Sequence, residues 1–449
     1  MFRARAGLAQ GRHLLRHPMA PYFMLIGATT LLVGIGLLEV YSVSTTDNLV
    51  TGKPELGTII KQAGSAAIGV PILIIAARLP VRVYRLMAYP LLITTLILLV
   101  AVLAFGQVST GGNQNWLVLG PLTIQPSEFA KFALVLWGAD LLDRKEKRLT
   151  SWDHLLVPLL PVAGLIIGLV MLGGDMGTSM VIAAIAFSLL FVVGAPARLF
   201  TLLSGGAAGL ATLAVLIRPS RVRRFTEFLS SSTADPTGTG YQAAQGFSAL
   251  SSGGWFGVGL GASREKWGQL PEAQTDFIFA IIGEELGLFG ALAVLSLFIV
   301  MGYAGLRISL SATDGFVRLA SAAVTGWLMA QTLINLGAVL GVLPIAGVPL
   351  PFVSYGGSSL LPSLAAVGML LSFARTQYRG LADSLPGLPS ADPSFDASAR
   401  PSLRGTAEGS APAKLGSRTR AQCRQRTVEP GGAGPSARER AAEKLGNPS

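Results

Sequence analysis

Ten apolar stretches alternate with short polar breaks along this chain, near residues 22–42, 58–77, 86–105, 127–142, 154–172, 178–194, 199–217, 276–303, 316–342 and 358–374. Most are long enough to cross a hydrocarbon layer of about 30 Å as a helix. The pattern predicts an all-α polytopic membrane protein of about ten transmembrane helices. One break is much longer than the rest: residues 218–275 are expected to form a large loop between the seventh and eighth helices.

Lys and Arg set the orientation, because connections rich in them stay in the cytoplasm. Starting inside, the cytoplasmic connections hold Arg78, Arg82 and Arg85, then Arg144, Lys145, Lys147 and Arg148, then Arg198, then Arg307, and last Arg375 and Arg379. Both termini are then cytoplasmic and the 218–275 loop is extracytoplasmic. The basic start (Arg3, Arg5, Arg12, Arg16) precedes an apolar run, Tyr22 to Val40, too long for a signal-peptide core, so it is expected to remain as the first span. Three regions follow: a basic cytoplasmic N-terminus (1–20), the membrane domain (21–375), and a tail rich in Pro, Ser, Gly, Ala and Arg (376–449), expected to be disordered in the cytoplasm.

Composition agrees with lipid as the solvent: 51% of residues are hydrophobic and 13% charged. The formal charge of +11 is explained by the orienting segments and the tail, so no nucleic-acid partner is expected. A single cysteine, Cys423, excludes an intramolecular disulfide framework and a cysteine metal site. The three histidines (His13, His17, His154) show no metal-ligand spacing, and no Gly-Lys-Ser/Thr nucleotide loop occurs.

The remaining candidates for chemistry are charges at or inside the apolar stretches, where a charge is costly and calls for a reason. Asp276 stands at the mouth of the eighth helix. A carboxylate there suits proton abstraction from a hydroxyl; the plainer reading is a helix N-terminal acid that complements the macrodipole. Glu128 and Lys131, three apart in the short fourth stretch, share one helix face; they are either a neutralised structural pair or a pair that positions Asp276 or a phosphate. Asp175, in the turn Gly173-Gly174-Asp175-Met176-Gly177, is a turn acid or a second member of the same outer site. Glu284 and Glu285 lie about 12 Å further along the helix of Asp276; they serve hydrogen bonding to neighbouring helices or a proton path. The loop basics Arg218, Arg221, Arg223, Arg224, Arg264 and Lys266 run against the inside bias. They form either a solvated face or a surface for a phosphate-bearing substrate.

Four blocks are specific: Asn115 to Lys131 (NWLVLGPLTIQPSEFAK), Gly174 to Thr178 (GDMGT), Tyr241 to Gly287 (beginning YQAAQGFSALSSGGWFGVGLG and ending TDFIFAIIGEELG), and Asn335 to Ser359 (NLGAVLGVLPIAGVPLPFVSYGGSS). Over roughly residues 20–375 the chain resembles the SEDS family of cell-wall polymerases, which includes FtsW, RodA and SpoVE, and it looks most like the actinobacterial FtsW branch. The resemblance implies a ten-helix peptidoglycan glycosyltransferase that polymerises lipid II outside the membrane during cell division, releasing undecaprenyl pyrophosphate with inversion. Asp276 matches the family's essential acid. Glu128, Lys131, Asp175 and Trp116 match positions around the outer cavity, and Arg221, Arg223, Arg224, Lys131 and Lys266 are the available cations for the pyrophosphate. Asn113-Gln114-Asn115-Trp116 stands where many members carry two arginines, and Ala346 stands where Thr is frequent.

The resemblance implies no certain cofactor; a divalent cation, Mg or Mn, is a candidate at the pyrophosphate. Implied partners are lipid II and undecaprenyl-linked glycan, a class B penicillin-binding transpeptidase, other divisome proteins and the membrane, with location in the bacterial cell membrane at the septum. Alternatives left open are a lipid II flippase, a RodA-type elongation polymerase and a non-catalytic division scaffold.

Overall fold

The computed structural model describes residues 17–51, 56–108, 113–119, 122–145, 157–217, 222, 239–267, 270 and 272–384. The predicted stretches coincide with helices α1 (Ala20–Thr51), α2 (Gly57–Arg78), α3 (Val81–Phe105), α4 (Pro126–Arg144), α5 (Leu159–Leu172), α6 (Met176–Val193) and α7 (Ala197–Ile217). A further helix, α8 (Thr239–Ser252), lies within the long loop, and α9 (Ile278–Ser311), α10 (Gly315–Val339) and α11 (Gly357–Ser384) complete the order. Among the described residues, seven helices (α1, α2, α3, α6, α9, α10 and α11) are long and apolar enough to cross a membrane. The protein is a multi-pass membrane protein.

The helices α4 and α10 explain why the shortest and most polar stretches belong to the bundle. Nearly every residue of α4 from Pro126 to Leu142 is buried, Glu128, Lys131 and Asp140 included. A helix enclosed by protein on all sides can carry charges if they are paired there, which a lipid-facing helix cannot. Around α4 pack α3, α6 and α10, and α10 in turn contacts α9 and α6.

Two features depart from the expectation. Between α3 and α4 the chain forms three short antiparallel strands, β1 (Gln107–Val108), β2 (Gln114–Leu119) and β3 (Leu122–Ile124), with Gln107 opposite Trp116 and Leu117 opposite Ile124. Runs this short show no usable alternation in sequence. At the other end α11 runs to Ser384, past the expected boundary at 375, and its turn at 377–378 is packed. Tyr378 is buried, and Gln377 donates to the Ile308 carbonyl at the foot of α9 and accepts from Ser311. The proposed disordered tail beyond lies outside the described residues.

The two ends of the bundle differ electrostatically. At the end expected to be cytoplasmic, Arg85 on α3 pairs with Asp143 at 2.6 Å and Asp314 at 2.9 Å, while Asp140, fully buried, is held by Arg144 at 2.8 Å. Here cations and acids are matched. The opposite end carries the acids of the candidate site.

Candidate functional site

Asp276 precedes the first turn of α9, and its main chain is held from three directions. Ser354 donates its hydroxyl to the Thr275 carbonyl, Tyr355 donates its backbone N–H to Gln274 at 2.8 Å, and Asn335 on α10 donates Nδ2 to the Asp276 carbonyl at 2.8 Å. The same Nδ2 also donates to the Val348 carbonyl at 2.8 Å. Asn335 thus fastens the loop between α10 and α11 to the acid. In that loop Gly347 adopts φ +68°, and a β-carbon added there would stand 3.7 Å from Oδ2 of Asp276. Glycine leaves the carboxylate open on that side.

The backbone is therefore fixed while the carboxylate is not: among the described residues it accepts no hydrogen bond. It is half-buried. Burial, with the neighbouring charges of Glu272 and Asp175, pushes Asp276 up to about 7. A carboxyl so placed is a competent proton acceptor near neutral pH, being neither acidified by a cation nor fully desolvated.

Asp175 caps α6, accepting from the Thr178 N–H at 2.8 Å and from Gln125 Nε2 at 3.1 Å. Burial holds its carboxyl above the usual carboxylate range against those bonds. The turn before it is roofed by the β-hairpin: Gln114 donates its N–H to the Gly173 carbonyl at 2.8 Å, and Asn113 closes over Gly174. Trp116 lies on that hairpin, half-buried and opposite Gln107.

Deeper, Lys131 and Glu128 form an ion pair at 2.7 Å with both side chains 1% exposed. Lys131 also donates to Gln331 Oε1 at 3.0 Å and lies over the Trp327 ring at 5.2 Å. Trp327 donates to the same Gln331 oxygen at 2.8 Å, and Gln331 Nε2 donates to the Pro349 carbonyl at 2.9 Å. Trp327, Gln331 and Asn335 follow one another at four-residue intervals on one face of α10. That face links the buried pair to the loop beside Asp276.

The structure therefore gathers Asp276, Asp175, Glu128 and Lys131 at one end of the bundle, with Trp116 on the hairpin over the Asp175 turn. Lys266 is elsewhere. Its ammonium is buried and paired with Glu285 at 2.9 Å, next to Ser42 of α1, so its charge is spent inside the protein. Arg221, Arg223 and Arg224 lie outside the described residues. Gln331 and Asn335 were not singled out from the sequence, although their spacing within an apolar stretch was a usable signal.

Comparison with known proteins gives the family. The family model of FtsW, RodA and SpoVE, described as cell cycle proteins, matches residues 23–379. The chain belongs to that family. It is 36% identical over 391 residues to a probable peptidoglycan glycosyltransferase FtsW of Mycobacterium tuberculosis, covering 85% of this chain and 72% of the relative. It is 37% identical over 358 residues to stage V sporulation protein E of Bacillus subtilis, covering 79% and 97% respectively. Among solved structures, one chain of a peptidoglycan synthase complex studied for its coordination of polymerization and crosslinking superposes with a TM-score of 0.66. That chain is 28% identical, and the match covers 79% of this chain and 98% of that one. The rod shape determining protein RodA of Thermus thermophilus superposes with a TM-score of 0.59 at 28% identity, covering 79% and 96%.

Proposed function

We propose that this protein is the peptidoglycan glycosyltransferase of cell division, polymerising lipid II into glycan strands with Asp276 as the general base. The observation that carries the assignment of the base is the carboxylate of Asp276: rigid in its main chain, unpaired in its side chain, and raised to about 7. Asp276 takes the proton from the 4-hydroxyl of the acceptor sugar. The oxygen forms its bond to the donor anomeric carbon as the bond from that carbon to the phosphate oxygen breaks. Undecaprenyl pyrophosphate leaves with the electron pair, and the α-linked donor becomes a β link in one displacement, so no enzyme nucleophile is needed.

The leaving diphosphate develops charge that cations stabilise. Arg221, Arg223 and Arg224, on the loop before α8, are the candidates for that role. Lys131 supports the reading through Gln331 and Pro349, which hold the loop beside the base. No group of three or more His, Cys, Asp or Glu side chains suited to a metal ion occurs among the described residues, and both oxygens of Asp175 already accept protein hydrogen bonds. The described acids do not form a protein cage for Mg or Mn; a divalent cation at the pyrophosphate would be held mainly by the diphosphate itself. The working partner in this reading is a class B penicillin-binding transpeptidase, within a division assembly at the septum, with both termini in the cytoplasm.

The direct test supplies purified protein and its transpeptidase partner with lipid II in vesicles and follows glycan chain formation. Wild type is expected to polymerise, and Asp276→Asn to bind partner and membrane normally but make no product. Undiminished polymerisation by the Asn variant removes Asp276 from the role of base.

A further inference from the structure

The segment that follows α8 does not remain in the aqueous layer where its place in the long loop would put it. α9 is broken at Gly287, which has φ +68° and ψ −168°. Such a break inside a spanning helix leaves backbone groups without partners, and the loop supplies them. Val258 donates to the Glu284 carbonyl at 2.9 Å and Gly259 to the Glu285 carbonyl at 3.1 Å; in return Leu288 donates to Gly254 at 2.9 Å and Phe289 to Trp255 at 3.3 Å. The fit requires glycine: a β-carbon on Gly257 would stand 2.1 Å from the Glu285 oxygen, and one on Gly287 would stand 2.3 Å from the Gly257 nitrogen. The acids next to the break find their donors in the same segment. Ser263 and the Arg264 N–H donate to Glu284, and Lys266 and the Gly261 N–H donate to Glu285.

With its polar groups turned inward, this segment turns its apolar side chains out. Trp255 is 65% exposed, Phe256 83% and Leu260 64%, and no charged residue occurs between Ser251 and Ser263. Both aromatic rings lie against Phe289, at 6.1 and 5.4 Å between ring centroids. Phe289 and Leu292 are themselves exposed on α9, as is Ile299 further along it. The surface is thus continuous with the outward row of a membrane-crossing helix.

Depth follows from α9. The uncharged, uninterrupted helix from Leu288 to Leu306 measures about 28 Å, close to the thickness of the hydrocarbon layer. With Arg307 beyond one end and the break at Gly287 at the other, Phe289 lies in the first turn of that helix, at the boundary on the Asp276 side. That is the layer in which Trp and other aromatic rings concentrate.

We propose that Gly253–Gly261 is an embedded anchor whose Trp255, Phe256 and Leu260 side chains contact lipid acyl chains at the boundary of the leaflet on the Asp276 side. The anchor ties the first half of α9, and with it the site, to the layer in which lipid-linked substrates lie. The lipid contact stands independently of the catalytic assignment.

Spin-label accessibility tests it. In a Cys423→Ser background, Phe256→Cys and Leu260→Cys are labelled and the full chain is reconstituted alone in phospholipid vesicles. Ile299→Cys on α9 serves as the lipid reference, and Thr313→Cys, in the exposed turn before α10, as the aqueous one. Labels at 256 and 260 are expected to collide with oxygen more than with a water-soluble nickel chelate, as at 299. Nickel accessibility like that at 313, or protection from both reagents, overturns the proposal, because the surface then faces water or is covered by protein. Should the labelled chains fail to fold, native tryptophan emission quenched by brominated lipid, and quenched less in Trp255→Phe, reports the same contact. Equal quenching in the two chains counts against it.

Discussion

Replacing Asn335 by Leu separates the base from the machinery that aims it. The asparagine is 2% exposed, and its Nδ2 donates to two carbonyls, those of Asp276 and Val348, each at 2.8 Å. Leucine keeps the volume but leaves both oxygens without that donor, and a buried polar group without its partner costs about 1–3 kcal/mol. One cost is removed in exchange, since Oδ1 of Asn335 finds no partner in the native protein. Two losses against one gain leave a net destabilisation of roughly 1–3 kcal/mol, within what a folded domain tolerates. The effect on catalysis is larger. A misplacement of about 1 Å in a catalytic group lowers the rate on the order of 100-fold, and Asn335 ties both the base and the loop facing it. The assay is lipid II polymerisation across pH, with helicity and thermal unfolding measured in parallel. The turnover rate is expected to fall far more than the folded fraction, and the pH midpoint to shift down as water reaches Asp276. A folded Leu variant with wild-type rate and midpoint would refute the idea that this clamp aims the base.

Wild-type polymerisation should rise with pH through about 7 and level off above it, because only ionised Asp276 accepts a proton; a flat profile from pH 5 to 8 contradicts this. For stability the sign is opposite: the folded state holds the proton up to about 7 and the unfolded chain only to about 3.8, so Asp276 destabilises the fold progressively as pH rises through that window. Asp276→Asn is therefore expected to unfold at or above the wild-type temperature at pH 8, and a marked drop would contradict it. Gly347→Ala places a methyl group against Oδ2 at a left-handed backbone position; it should raise the pH midpoint of the reaction, and a downward shift would count against the proposed contact. Lys266→Met leaves Glu285 buried without its cation, a change that costs about 3–5 kcal/mol, whereas Lys266→Met with Glu285→Met should recover expression and polymerisation. A stable but inactive double variant would instead return Lys266 to the pyrophosphate.

The sequence by itself determined the apolar helices, because apolar length is a local quantity that a bilayer reads directly; the less apolar helix α8 within the long loop was not legible in it. It also picked out Asp276, Asp175, Glu128 and Lys131, since a charge in or beside an apolar stretch is costly enough to be noticed without coordinates. What each charge does was decided only by the fold. Lys266 was read as a loop cation for a phosphate and Asp276 as a base at a helix mouth, yet packing buries Lys266 against Glu285 and leaves the Asp276 carboxylate without a bond. Asn335 and Gln331 escaped notice because they are neutral, and their importance comes from reaching carbonyls thirteen and eighteen positions away in the chain. In one dimension the glycine-rich run after α8 permits tight outer turns or close approach to a ligand; its pairing with α9 follows only from the break at Gly287, which leaves backbone groups that something must satisfy. Polar partners distant in sequence are chosen by tertiary contact: the four-residue spacing of Gln331 and Asn335 marks a helix face, but not the carbonyls that face reaches.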